Sequence, residues 1–212
     1  MLAEKAEQFD EAQIVELPVR IPASRFKDFV ADLPNLVERY RRPVPQKPYK
    51  QTRNGTLFHS WVEARFGSLH LAEGLDSLDN LNDELDLEAI RILQQNFENS
   101  RWAKLQPLEI EREIQVTIGA NTFICKLDAV FSTESGVEIV DWKTGKKPKN
   151  DEDAALRALQ LSLYRVAYSR FSGRPVEQIE ASFYFVADDA EVKPVKLFSE
   201  SELLELWEEI AV

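Results

Sequence analysis

The sequence predicts an α/β fold: helices first, then a sheet of about five strands, with one long helix packed on it. Two observations carry this. After Pro107 the periodicity changes from helical to alternating, with Ile114, Val116 and Ile118 on one face and Gln115 and Thr117 on the other. Three such segments then follow one another across short turns, the pattern of an antiparallel meander.

Taken in order, residues 1–20 read as an acidic tail or linker, and 21–212 as one domain, helical over about 21–106 and sheet-forming over about 107–212. Ser24 is placed to cap a helix over "RFKDFVADLPNLVERYRR", broken or kinked near Pro34. "PVPQKP" reads as an extended connector. A second helix runs from about Gly55 through "TLFHSWVEARFG", and a third from about Leu85 to Leu105. The strands are the segment around Ile114–Ile118, then "TFICKLDAVF" after a turn at Gly119–Asn121, then "VEIVDWK" after the turn "STESG". A helix from about Asp153 to Phe171 is closed by Gly173 and Pro175. "IEASFYFVA" and "EVKPVKLF" read as two more strands, and "SESELLELWEEI" as a terminal helix capped by Ser199 or Ser201.

The 212 residues are 44% hydrophobic, enough to bury a substantial core. A single cysteine, Cys125, excludes a disulfide framework, a cysteine-rich zinc site and an iron–sulfur cluster held by this chain alone, and fits a reducing, cytoplasmic compartment. No apolar run approaches the roughly 20 residues a membrane span needs. The net charge of -11 argues against indiscriminate nucleic-acid binding by the molecule as a whole. Basic residues are nevertheless local: Arg20 to Arg53 holds nine of them against three acids, and 143–149 holds four lysines, whereas 73–88 holds seven acids and no base. A phosphate-rich partner along one face and a solvated surface of mixed sign both satisfy that distribution.

The chemistry lies in "GVEIVDWKTGKKPKN", residues 136–150. Side chains alternate along a strand, so Asp141 and Lys143 point one way and Trp142 the other. Asp128, on the preceding strand, converges with Asp141 if the two strands pair. Two close carboxylates repel, and a divalent cation relieves that repulsion. A surface ion pair on an edge strand is the plain alternative for an isolated D-x-K.

"VDWKTGKKP" resembles the D-W-K-T-G signature of the PD-(D/E)xK nuclease superfamily, in its RecB-like branch. "GTLFHSW" resembles that branch's helical motif with a metal-ligating histidine, here His59. "KLDAV" resembles its G-R-I-D element, with the metal-binding aspartate at Asp128, and "QLSLY" its Q-x-x-x-Y helix, with Gln160 and Tyr164. Glu111 aligns with the acid of the first strand. Cys125 stands where the branch has glycine, and Glu113 where it has proline. More narrowly, "PASRF", "RRPVPQKP" and "GTLFHSWVEARFG" look like the C-terminal nuclease domain of actinobacterial UvrD-like helicases. No Walker motif occurs in this chain.

The resemblance implies a restriction-endonuclease-like core with a mixed sheet of about five strands flanked by helices. It also implies Mg²⁺ or Mn²⁺ held by His59, Asp128, Asp141 and the Trp142 carbonyl, with Lys143 positioning or activating the attacking water. Its implied partners are DNA, single-stranded and delivered by a helicase motor in the same parent chain or complex, in repair or recombination.

Gln160 and Tyr164, at i and i+4, share a helix face with Arg157 one turn earlier. They form either a polar ridge toward the cleft, where Gln160 orients Lys143 or a water and Tyr164 meets the DNA backbone, or a face packed on the sheet. Lys146, Lys147 and Lys149 are placed to hold phosphates. Arg39, Arg41 and Arg42 either do the same or complement a helix dipole. Two competing functions remain open at this level. One is a non-catalytic module of nuclease fold binding single-stranded DNA or a partner protein; the other is a free-standing endonuclease for RNA or structured DNA.

Overall fold

The computed structural model describes residues 18–41, 50–67 and 84–211. Six strands form one mixed sheet: β1 (Arg20–Pro22), β2 (Glu109–Ile118), β3 (Asn121–Ser132), β4 (Val137–Lys143), β5 (Ile179–Phe185) and β6 (Ala190–Val192). The helices are α1 (Phe26–Ala31), α2 (Leu33–Arg41), α3 (Lys50–Phe66), α4 (Glu84–Asn99), α5 (Asp151–Ser172) and α6 (Glu200–Ala211). This is the flanked mixed sheet expected of a restriction-endonuclease-like core.

The meander is present: β2 pairs antiparallel with β3, and β3 antiparallel with β4. Gly119, at φ 58°, supplies the left-handed residue of the short loop between β2 and β3. β5 runs parallel to β4, which demands a long crossover, and α5 provides it. Asn150 caps α5 by accepting from Asp153 N at 2.9 Å, and Gly173, at φ 72°, ends it.

Several expected boundaries shift for local reasons. Arg20 already belongs to a strand, paired in parallel with β3, so the expected division after residue 20 falls inside the sheet. Ser24 caps no helix; it sits in a 3₁₀ turn, Ala23–Arg25. The helix break falls at Asp32, whose side chain accepts from Asn35 N at 3.2 Å and so caps α2. Pro34 then lies in the first turn, where its missing N–H costs nothing. The third helix ends at Asn99 rather than near Leu105, with Trp102–Lys104 forming a separate 3₁₀ turn. "EVKPVKLF" yields only the tail of β6, since Pro194 has no N–H to extend a ladder. Ser199 and Glu202 close a capping box at α6: each backbone N–H is accepted by the other's side chain.

Two apolar layers cover the sheet. One lies beneath α5, α1 and α6 and includes Phe26, Phe29, Phe123, Leu127, Ile139, Leu163 and Trp207. The other lies beneath α3 and α4 and includes Phe58, Phe97, Trp102, Phe131 and Trp142. On β3 the alternation slips by one at Asp128: Phe123, Cys125, Leu127 and Val130 join the first layer, Ala129 and Phe131 the second. β2 slips opposite it, at Glu111, whose φ of 47° is left-handed. That conformation costs a non-glycine residue about 1–2 kcal/mol.

Trp207 anchors α6. Its ring meets Phe123 at 4.9 Å, Phe29 at 5.2 Å and Phe26 at 5.4 Å, and its Nε1 donates to Asn121 Oδ1 at 3.0 Å. Trp207→Ala should therefore cost about 3–5 kcal/mol of stability, read from urea denaturation as a lower midpoint at unchanged slope.

Candidate active site

β3 has one edge covered by β2 along most of its length, so β1 and β4 share the other edge. β1 takes Thr122–Ile124 and β4 takes Ala129–Ser132. Cys125 to Asp128 lie between them, in a fork with no strand partner on that side among the described residues. Asp128 is thus well inside β3; what ends there is its pairing with β4. At the fork Asp128 Oδ2 accepts from Trp142 N at 2.7 Å, satisfying a strand N–H that has lost its ladder partner. β4 continues to Lys143 supported by β5 alone.

The expected opposition of side chains on β4 holds. Trp142 is 1% exposed and packs against Phe97, Trp102 and Tyr184. Asp141 and Lys143 face α5. Asp141 Oδ1 accepts from Gln160 Nε2 at 2.8 Å, and Asp141 Oδ2 lies 2.6 Å from Lys143 Nζ. Lys143 donates to Gln160 Oε1 at 3.3 Å, and Gln160 donates to the Tyr164 hydroxyl at 2.7 Å. One amide therefore orients both the acid and the base, and the buried phenol fixes the amide.

His59, on α3, turns Nδ1 toward Asp128 Oδ1 at 3.3 Å and Glu111 Oε1 at 3.4 Å. The three residues bring ligand atoms within 4.8 Å of one another. An imidazole nitrogen with two carboxylates is a donor set for a divalent ion: the carboxylates suit Mg²⁺ or Mn²⁺, and the nitrogen favours Mn²⁺ of the two. Asp141 does not join this cluster: both its oxygens are committed to Gln160 and Lys143. Glu111, read from the sequence only as the acid of the first strand, stands beside His59 and Asp128 where Asp141 was expected.

All these groups line one cleft of about 710 Å³, together with Ser24, Gly55, Thr56, Ser60, Glu63, Lys126 and Thr144. Gly55 brings α3 close to the loop after β4: a Cβ there would stand 3.2 Å from Thr144 Oγ1, so Thr144 would have to give by a few tenths of an ångström. Glu63 and Lys126 are legible in hindsight: Glu63 lies one helical turn beyond His59, and Lys126 two strand positions before Asp128.

Other expected contacts fall elsewhere. Arg157 does not face the cleft; its guanidinium binds Asp153 at 2.9 Å and the Lys146 carbonyl at 3.0 Å, and so shapes the loop after β4. Tyr164 is buried rather than presented to a backbone. Lys146, Lys147 and Lys149 are exposed on the loop that leaves β4. Arg42 and the side chain of Arg41 lie outside the described residues.

The electrostatics follow from burial and neighbours. Burial pushes the Asp141 carboxyl up to about 6; Asp128 adds to the push, while Lys143 and His59 pull against it. Burial disfavours charge on His59, but Asp128 and Glu111 together outweigh it and carry the imidazole up to about 10. Burial likewise opposes ionisation of Glu111, yet hydrogen bonds from His59 and Lys126 hold its carboxyl below the usual range.

Residues 35–212 match the family model of the PD-(D/E)XK nuclease superfamily, and the chain belongs to that superfamily. Nucleases of this superfamily use divalent metals, and the donor set above is compatible with one. A solved structure from Eubacterium rectale, named "Putative exonuclease", is similar at TM-score 0.58 and 12% identity, over 91% of this chain and 77% of that one. SSO0001 aligns over 99% of this chain and 82% of its own at 15% identity and TM-score 0.42. No curated protein matches the chain in sequence. Among the described residues, no helix is long and apolar enough to cross a membrane.

A divalent ion needs a deprotonated imidazole, and His59 keeps its proton up to about pH 10 in the ion-free protein. The raised value also stabilises the ion-free fold: that contribution is complete below the unfolded value of 6.5 and is lost as pH rises through about 10. Mn²⁺ affinity, measured by calorimetry, should accordingly rise by up to about tenfold per pH unit across the neutral range, and His59→Gln should flatten the rise.

Proposed function

We propose that this chain is a divalent-metal-dependent DNA nuclease domain of the RecB-like branch. In this reading it hydrolyses phosphodiester bonds of single-stranded DNA, as an exonuclease, within a helicase–nuclease of the UvrD-like type. Repair or recombination in the cytoplasm is the setting. The observation that carries the reading is the meeting, in one cleft, of the His59–Glu111–Asp128 cluster with the Asp141–Lys143–Gln160 array.

Each residue has a separable role. His59, Asp128 and Glu111 would hold Mg²⁺ or Mn²⁺, with Asp141 and the Trp142 carbonyl as further ligands. The ion neutralises phosphate charge and lowers the pKa of water at the site. Lys143 would orient the attacking water or stabilise charge on the phosphate. Gln160 sets the position of both, and Tyr164 sets Gln160. Lys146, Lys147 and Lys149 lie where a strand leaving the cleft meets cations. The motor supplies strand at high effective concentration, so the acidic body of the domain is tolerable.

Incubating the protein with labelled single strands and Mg²⁺ or Mn²⁺ tests this directly. Cleavage should require the ion and disappear with EDTA. Asp141→Ala and Lys143→Ala should each lower kcat by about 10²–10³-fold, the scale of removing one transition-state contact. Gln160→Ala, which leaves the acid and the lysine in place, should cost about 10–100-fold. Binding of strands without cutting under all these conditions would instead identify a non-catalytic module, and cutting of circular as well as linear strands an endonuclease.

A further inference from the structure

Resting on the nuclease reading above, we infer that Lys126 is a strand-positioning cation. It contacts the phosphate next to the scissile one, from the flank of the cluster opposite Lys143. No catalytic element of the D-x-K pattern includes it. It lies on β3, two residues before Asp128, and lines the same cleft.

Glu111 links Lys126 to the cluster. Its Oε1 faces His59 Nδ1 at 3.4 Å, and its Oε2 lies 2.6 Å from Lys126 Nζ. The ammonium is therefore one carboxylate away from the proposed ion. β3 separates β2 from β4, so Glu111 with Lys126 stands on one flank of Asp128, and Asp141 with Lys143 on the other. The two lysines differ in freedom. Lys143 is 30% exposed and is shared between Asp141 and Gln160. Lys126 is 61% exposed and, among the described residues, its ammonium meets Glu111 alone at hydrogen-bond distance, which leaves donors for a phosphate.

Charge balance gives that freedom a use. Glu63, Glu111, Asp128 and Asp141 all line the cleft. A divalent ion and Lys143 do not cancel four carboxylates, and a polyanionic strand entering there needs the further cation. Lying beside the cluster rather than within the D-x-K array, Lys126 acts on strand binding and not on the bond being broken.

The test measures binding and turnover separately. In an Asp141→Ala background, anisotropy of a labelled single-stranded oligonucleotide is titrated with KCl. Lys126→Gln should reduce the slope of log affinity against log salt by about 0.7, the value for one phosphate contact on a single strand, and Lys126→Arg should keep it. In the cutting-competent protein, Lys126→Gln should raise KM about 5–10-fold with kcat within about twofold, a loss of the size expected for one charged contact. Mn²⁺ affinity should not change. An unchanged salt slope overturns the inference. So does a fall in kcat accompanied by weaker Mn²⁺ binding, since Lys126 would then only hold Glu111 in place. If the unaltered protein cuts nothing while the slope still falls, the nuclease reading fails and the Lys126 contact stands.

Discussion

The hydrogen bond from Trp142 N to Asp128 is the constraint on which the site depends. It closes the gap where β4 leaves β3, and it does so with a carboxylate rather than a backbone carbonyl. A ladder continued by one more pair would satisfy the same N–H without a side chain. Using Asp128 instead holds the fork open and places its second oxygen beside His59. The end of the sheet pairing and the start of the His59–Glu111–Asp128 cluster are thus the same event.

Strain and burial concentrate at that point. The alternation of β2 and β3 slips at Glu111 and Asp128, and Glu111 adopts a left-handed backbone there. Asp141 is buried with its ionisation opposed by Asp128, and the hydrogen bonds of Gln160 and the charge of Lys143 compensate. Buried charges of this kind are tolerated only when fully paired. The aromatic layer of Phe97, Trp102, Phe131 and Trp142 behind β4 keeps the supporting strand rigid, so the small distances on the other face are maintained.

Much of this was legible in the chain. The change of period after Pro107 located the sheet. The D-x-K pattern put Asp141 and Lys143 on one face with Trp142 on the other, because side-chain alternation is a local property. Helical spacing placed Gln160 above Tyr164 for the same reason. Arg157 misled because a third residue one turn away shares the face only approximately, and Asp153, at i−4, captures its guanidinium. Ser24 misled because a cap residue and a cleft residue look alike until the neighbouring strand is known.

The sequence by itself determined the types of the long elements and which side chains β4 presents, since both follow from interactions between near neighbours. Only the tertiary structure decided that β1 and β4 share one edge of β3, leaving Asp128 in the fork. It also decided that Glu111, rather than Asp141, stands with His59. Those choices depend on register between distant segments and on a backbone slip at Glu111, and neither is encoded in a period of two or of 3.6.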